Sequence, residues 1–150
     1  MPSNYQVFHR KQDIGKRISQ LHREEQLAVG IVATGSVDEL TDAVSACVNA
    51  VRWPVSVIMY EEMGRVVELR SMFPQVTFIV FQNPVTMGTK LNAMAVECYT
   101  TYFFIIRSDQ RILAFIDVEL FALLRRSDRP AAVVTTLVNR NGEPMPSIQA

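Results

Sequence analysis

The chain is poor in the residues that announce the commoner chemistries. It has two cysteines and two histidines in 150 residues. Cys47 and Cys98 do not form a CxxC, and both lie in apolar stretches of helical character. Buried free thiols are the expectation, rather than a disulfide or a zinc site. His9 and His22 have no metal-ligand spacing to either cysteine. An excess of one charge is missing too: 15 Lys and Arg balance 15 Asp and Glu, for a net charge of zero. That gives no support to a nucleic-acid partner, which needs a basic surface. No apolar run approaches the ~20 residues that span a bilayer, and no apolar segment follows the N-terminus as in a secretory signal. The expectation is a chain without a transmembrane segment, in a reducing, cytoplasmic compartment. Internal repeats and low-complexity tracts are also lacking.

Several phosphate and nucleophile motifs are missing or broken. Gly30-Ile-Val-Ala-Thr-Gly35 has the glycine spacing of a P-loop. It lacks the Lys-Ser/Thr that would reach phosphate and Mg²⁺, and Gly30 falls inside an apolar strand pattern. No GxGxxG follows the first strand, and there is no GxSxG elbow. A phospho-receiver domain would need acidic residues after the first strand and an aspartate ending the third. Those places hold Thr34-Gly35 and Gln82-Asn83.

What is present is an ordinary globular composition, 49% hydrophobic and 20% charged. The length suits one domain with a core of useful size. Residues 1–8 read as a loose start. Residues 1–26 as a whole form an N-terminal extension. Within it, 9–26 predicts an amphipathic helix with Ile14, Ile18 and Leu21 on a narrow apolar stripe. Its basic face suits a solvated helix at the domain edge; a membrane-peripheral or anion-binding role is the alternative.

From residue 27 to 150 apolar runs alternate with helical periodicity. Strands are predicted at Leu27–Ala33, Val55–Tyr60, Val76–Phe81, Thr101–Ile106 and Ala131–Val138. Between them come helices with Leu40, Val44, Cys47, Val48 and Val51 inward, then one over about Arg65–Met72. The next covers Thr86–Cys98, with Leu91, Met94, Ala95 and Cys98 inward, and the last lies around Asp117–Arg126. Ser36 or Asp38 can cap the first of these helices, and Glu39 three residues after Ser36 has the form of a capping box. Asn139-Arg-Asn-Gly142 is a hairpin signal, with residues 143–150 starting a returning strand. Alternation of this kind predicts an α/β fold with a mostly parallel central sheet covered on both faces.

The organising stretch is Tyr99–Ile112, where the run Tyr102–Ile106 stops at Arg107-Ser108-Asp109-Gln110. In open parallel sheets ligands bind outside the carboxyl ends of the strands. The polar strand ends are Thr34 to Ser36, Glu61 with Glu62, and Arg107 to Asp109, with Asn83, Gly88, Lys90 and Asn92 around them. Glu61 or Glu62 could accept hydrogen bonds from a nucleobase imide. Asp109 could hold Mn²⁺ or Mg²⁺, which prefer oxygen ligands. Lys90 or Arg107 could offset phosphate charge. Each has a plainer reading: a helix start complementing the macrodipole for the glutamates, a surface lysine, and a solvated turn after a strand.

The order of these motifs resembles the nucleotide-sugar-binding half of GT-A-fold glycosyltransferases, the large family 2 above all, over about residues 27–145. Val29–Ser36 looks like the first strand and its Pro-Thr-Tyr-Asn loop, here Ala33-Thr34-Gly35-Ser36. Val57–Gly64 looks like the second strand with its acidic end. Phe73–Asn83 followed by Gly88-Thr-Lys-Leu-Asn-Ala93 resembles the stretch ending Gly-Lys-x-x-Ala-Leu-Asn-Ala-Gly. Tyr102–Ile112 stands in place of the Asp-x-Asp segment, and Asn139–Pro144 is similar to an Asp-Gly-Glu-Pro turn.

The resemblance implies a Rossmann-like, GT-A type three-layer sandwich with strand order 3-2-1-4. It implies a donor site for a nucleoside-diphosphate sugar, of UDP type. Thr34, Ser36, Glu61, Glu62, Lys90 and Arg107 would bind the nucleotide-sugar, and Asp109 the metal. The metal motif is degenerate, since Arg107 replaces the first aspartate. No position matches a catalytic base, which such enzymes carry in a further acceptor half. The expectation is therefore a truncated donor half of a glycosyltransferase, or a non-catalytic relative serving as a binding or scaffold domain. Arg107 could replace metal charge or pair with Asp109.

Overall fold

The computed structural model describes residues 4–10, 27–97, 100 and 102–112. Most of the helix expected over 9–26, the inward Cys98, and the helix, strand and hairpin expected at 117–126, 131–138 and beyond fall outside the described residues.

Within them the chain runs β1 (Tyr5–Phe8), β2 (Leu27–Val32), α1 (Val37–Ala50), β3 (Val55–Tyr60), a single 3₁₀ turn (Glu61–Met63), α2 (Val66–Met72), β4 (Val76–Phe81), α3 (Met87–Glu97) and β5 (Tyr102–Arg107). The sheet order is β1-β4-β3-β2-β5. β4, β3, β2 and β5 are parallel neighbours in turn, and β1 is antiparallel to β4. The four parallel strands thus stand in the expected 3-2-1-4 order, with the first and fourth adjacent. This is an α/β sandwich with helices on both faces.

Alternation along the strands explains the two faces. Val29, Ile31, Val57 and Phe78 point toward α1 and α2, meeting Leu40, Val44, Cys47 and Leu69. Ala28, Val32, Ile58 and Ile79 point the other way, toward Ala93 and Met94 of α3. Every residue of β2 and of β4 is buried, the pattern of strands covered on both sides. Gly30 faces α3, and a Cβ there would lie 2.2 Å from Met94 Sδ. The glycine lets the helix sit close, which is its role in place of phosphate binding. Cys47 is buried and free. Burial pushes its thiol up to about 11, so it is a core residue and not a nucleophile.

Three expectations need correction. Residues 5–8 are an edge strand rather than a loose start: they pair with Phe81 to Phe78. Tyr5 lies with its ring 5.1 Å from that of Phe81, and its hydroxyl donates to Glu97 Oε1 at 3.0 Å. On α3 the buried residues are Ala93 and Met94, while Ala95 is exposed. β5 is only half-buried, with Phe103 exposed, because among the described residues it pairs with β2 alone.

Candidate functional site

The strand order reverses between β2 and β5. From β2 the chain moves to β3 and β4 on one side, then returns past β2 to place β5 on the other. In open α/β sheets a crevice outside the carboxyl ends at such a reversal is the usual ligand position. Thr34 and Ser108 stand at the reversal. Val32 pairs with Arg107, and the Ser108 N–H donates to Val32 O at 3.0 Å, extending the ladder by one residue. The fully buried Ser108 side chain then takes over the ladder's role. Its hydroxyl donates to Thr34 O at 2.7 Å, accepts the Thr34 N–H at 2.7 Å and meets Thr34 Oγ1 at 3.0 Å. Its one proton lies on the carbonyl contact, so Thr34 Oγ1 is the donor in the third. The Thr34 hydroxyl keeps its lone pairs and has no proton to give.

The turn after β5 is held from several sides. Gln110 N–H donates to Arg107 O at 3.0 Å, and Arg107 N–H donates to Gln110 Oε1 at 2.9 Å. Arg111 Nη1 donates to Ser108 O at 2.7 Å and Gln110 O at 2.8 Å. Across this turn Arg107 grips Asp109 bidentately, Nε to Oδ1 at 3.0 Å and Nη2 to Oδ2 at 2.6 Å. The Arg107 hydrogen bond is the main reason the Asp109 carboxyl lies below its ordinary range, while Asp109 raises Arg107 in return.

Ser36 caps α1, accepting the Glu39 N–H at 3.1 Å, as its spacing predicted. Beside it Arg65 pairs with Asp38 at 2.8 Å, linking the loop after β3 to the start of α1. Arg65 adopts a left-handed φ of 58° and Gly64 a φ of 76°, so this loop turns sharply behind the exposed glutamates. Glu61 and Glu62 form the 3₁₀ turn directly after β3. Lys90 lies in the first turn of α3, with Nζ 4.8 Å from the Tyr60 ring centroid. Burial works to raise the Tyr60 phenol, but hydrogen bonds with Lys90 and the Val85 backbone, together with the Lys90 charge, outweigh it and lower the pKa.

All the expected residues therefore stand at the carboxyl ends of β2, β3 and β5 or at the start of α3. The structure joins Thr34 to Ser108, Arg107 to Asp109, and Lys90 to Tyr60. Comparison with protein-family models, curated proteins and solved structures gives no match. The functional reading rests on the residues and the fold.

Ser108, Tyr60, Arg65 and Arg111 had no assigned part in the sequence reading. A serine following an apolar run, opposite a threonine following its neighbour strand, is the one signal that could have found the first.

A divalent ion would need several oxygen ligands. The expected metal ligand, Asp109, has both oxygens engaged by a guanidinium, and Arg111 stands two residues on. Among the described residues no three His, Cys, Asp or Glu side chains gather as a metal site. Among the described residues the donor set does not fit Mn²⁺ or Mg²⁺. Nor, among the described residues, is any helix long and apolar enough to cross a membrane.

Proposed function

We propose that the crevice between β2 and β5 binds the nucleoside diphosphate of a sugar donor, in a domain of GT-A type. The observation that carries this reading is the reversal of strand order at Thr34 and Ser108, with polar side chains at each neighbouring strand end. Glu61 and Glu62 are exposed acceptors suited to the imide N–H of a uracil. Thr34 Oγ1 offers lone pairs to a ribose hydroxyl. Ser36 keeps its hydroxyl proton, and Lys90 and Arg107 supply cationic donors for phosphate oxygens. In this reading the domain holds and orients the donor of a glycosyl transfer.

A second reading, a binding domain without transfer, is favoured by the Arg107–Asp109 pair standing where a metal-binding pair of aspartates would be. The test is calorimetric titration with UDP, GDP, ADP and a UDP-sugar, followed by assay of UDP released from the UDP-sugar. Saturable binding of UDP and the UDP-sugar is expected, at the weak end between about 1 mM and 1 μM. Release of UDP favours transfer; binding without release favours the binding domain. Absence of binding by every nucleotide rejects the site.

A further inference from the structure

We propose that this site takes its diphosphate without a divalent ion, on the guanidinium of Arg107 braced by Asp109. The inference rests on the nucleoside-diphosphate reading and says which group carries the anion. A guanidinium has five N–H donors. The bidentate pair with Asp109 uses two of them, leaving three at Nη1 and Nη2. The Arg107 side chain is about half exposed, at 52%, so those donors are open to a ligand. A long cationic side chain in water normally has to be ordered on binding, which costs affinity. Here Asp109 already fixes the plane of the guanidinium, and the Arg107 backbone is locked at both ends by Gln110.

The charges within the turn agree. Residues 107–111 hold Arg107 and Arg111 against Asp109 alone, a net surplus of one positive charge. A metal cation would meet two guanidinium groups and one carboxylate already paired. A diphosphate would meet the opposite. Alternation also places Arg107 well. Ile105 packs on the α3 side and Ile106 on the α1 side, so Arg107 faces the α3 side. Tyr60, with Lys90 over its ring, is on that same side. β3 and β5 flank β2, so Arg107 and Tyr60, the ring that carries Lys90, stand on strands about 10 Å apart by the spacing of neighbouring strands. That gap suits an anion lying across the end of β2.

The experiment is titration of UDP, UMP and uridine into the protein, once in EDTA and once with Mn²⁺. It is repeated for Arg107→Ala, Arg107→Lys and Asp109→Ala, with circular dichroism to confirm folding. The wild type is expected to bind UDP equally with and without metal, and more tightly than UMP or uridine. Arg107→Ala should lose about tenfold or more, equivalent to about 1.4 kcal/mol per decade. Arg107→Lys should recover part of that loss, since it keeps the charge without the fork. Asp109→Ala should weaken binding severalfold in both conditions, through a looser guanidinium. UDP binding that requires Mn²⁺, or that disappears in Asp109→Ala only when Mn²⁺ is present, overturns this inference and leaves the nucleotide reading standing. Absence of binding by all three compounds in both conditions overturns both.

Discussion

A serine hydroxyl donates once and accepts twice, and Ser108 uses all three capacities on Thr34. The Ser108 side chain is fully buried, so a shortened side chain leaves its partners facing a gap in the core. Ser108→Ala leaves the Thr34 amide and carbonyl without that partner, at a cost of about 1–3 kcal/mol. Urea denaturation should show the midpoint falling with an unchanged slope. A loss below about 0.5 kcal/mol, the scale of neutral surface substitutions, would show that the hydroxyl is not structural. At this scale the sequence was informative about charge and poor about geometry. Arg107 and Asp109 were readable as a pair of alternatives, because a guanidinium two residues from a carboxylate can either replace metal charge or bind that carboxylate. Which one holds depends on side-chain rotamers and on a turn backbone held by Gln110 and Arg111, and no periodicity encodes those. Ser108 was hidden for a similar reason. Its partner is 74 residues away, and short polar residues at a strand end look alike until the sheet is assembled.

At the scale of elements, β2, β3 and β4 were legible because strands buried on both faces read as unbroken apolar runs. α1 was legible through its cap and its stripe. β1 was not, because Tyr-Gln-Val-Phe is too short to show a period. Its stability comes from the β4 edge, from the Phe81 ring and from Arg70 of α2, whose guanidinium carbon lies 4.1 Å from the Phe8 ring centroid. Such a strand also caps an edge that would otherwise offer free N–H and C=O groups for aggregation. Tyr5→Phe keeps the ring and removes the hydrogen bond to Glu97, and should cost about 1 kcal/mol. Tyr5→Ala also removes the ring contact, worth about 0.5–1.5 kcal/mol beyond the area it covers. The expected order of melting temperatures is wild type, then Tyr5→Phe, then Tyr5→Ala, with more aggregation in the last. Equal melting of all three would mean that β1 is not held in solution.

For the whole molecule, the alternation of strands and helices made the parallel sheet legible, whereas its strand order was only what the family resemblance implied, and that order decides where a ligand can sit. Net charge is zero, so no long-range field draws an anion to the crevice. Attraction there has to come from the cations nearest it, and Arg107 is the one whose replacement separates the alternatives. Arg107→Asp removes the braced guanidinium and sets two carboxylates two residues apart on a turn already held by Gln110 and Arg111. Two hard oxygen ligands favour Mn²⁺ where one paired carboxylate does not. In EDTA this variant should bind UDP about tenfold more weakly than the wild type. With Mn²⁺ it should regain affinity, while the wild type stays unchanged. Melting curves make the comparison accessible, because a ligand at about 100 times its Kd adds about 2.7 kcal/mol of stability. The wild type should show the same UDP-induced rise in melting temperature with EDTA and with Mn²⁺; Arg107→Asp should show a rise with Mn²⁺ and a smaller one without. Identical, metal-independent shifts in both proteins would mean that Arg107 does not touch the diphosphate, and the anion would then have to be sought at Lys90.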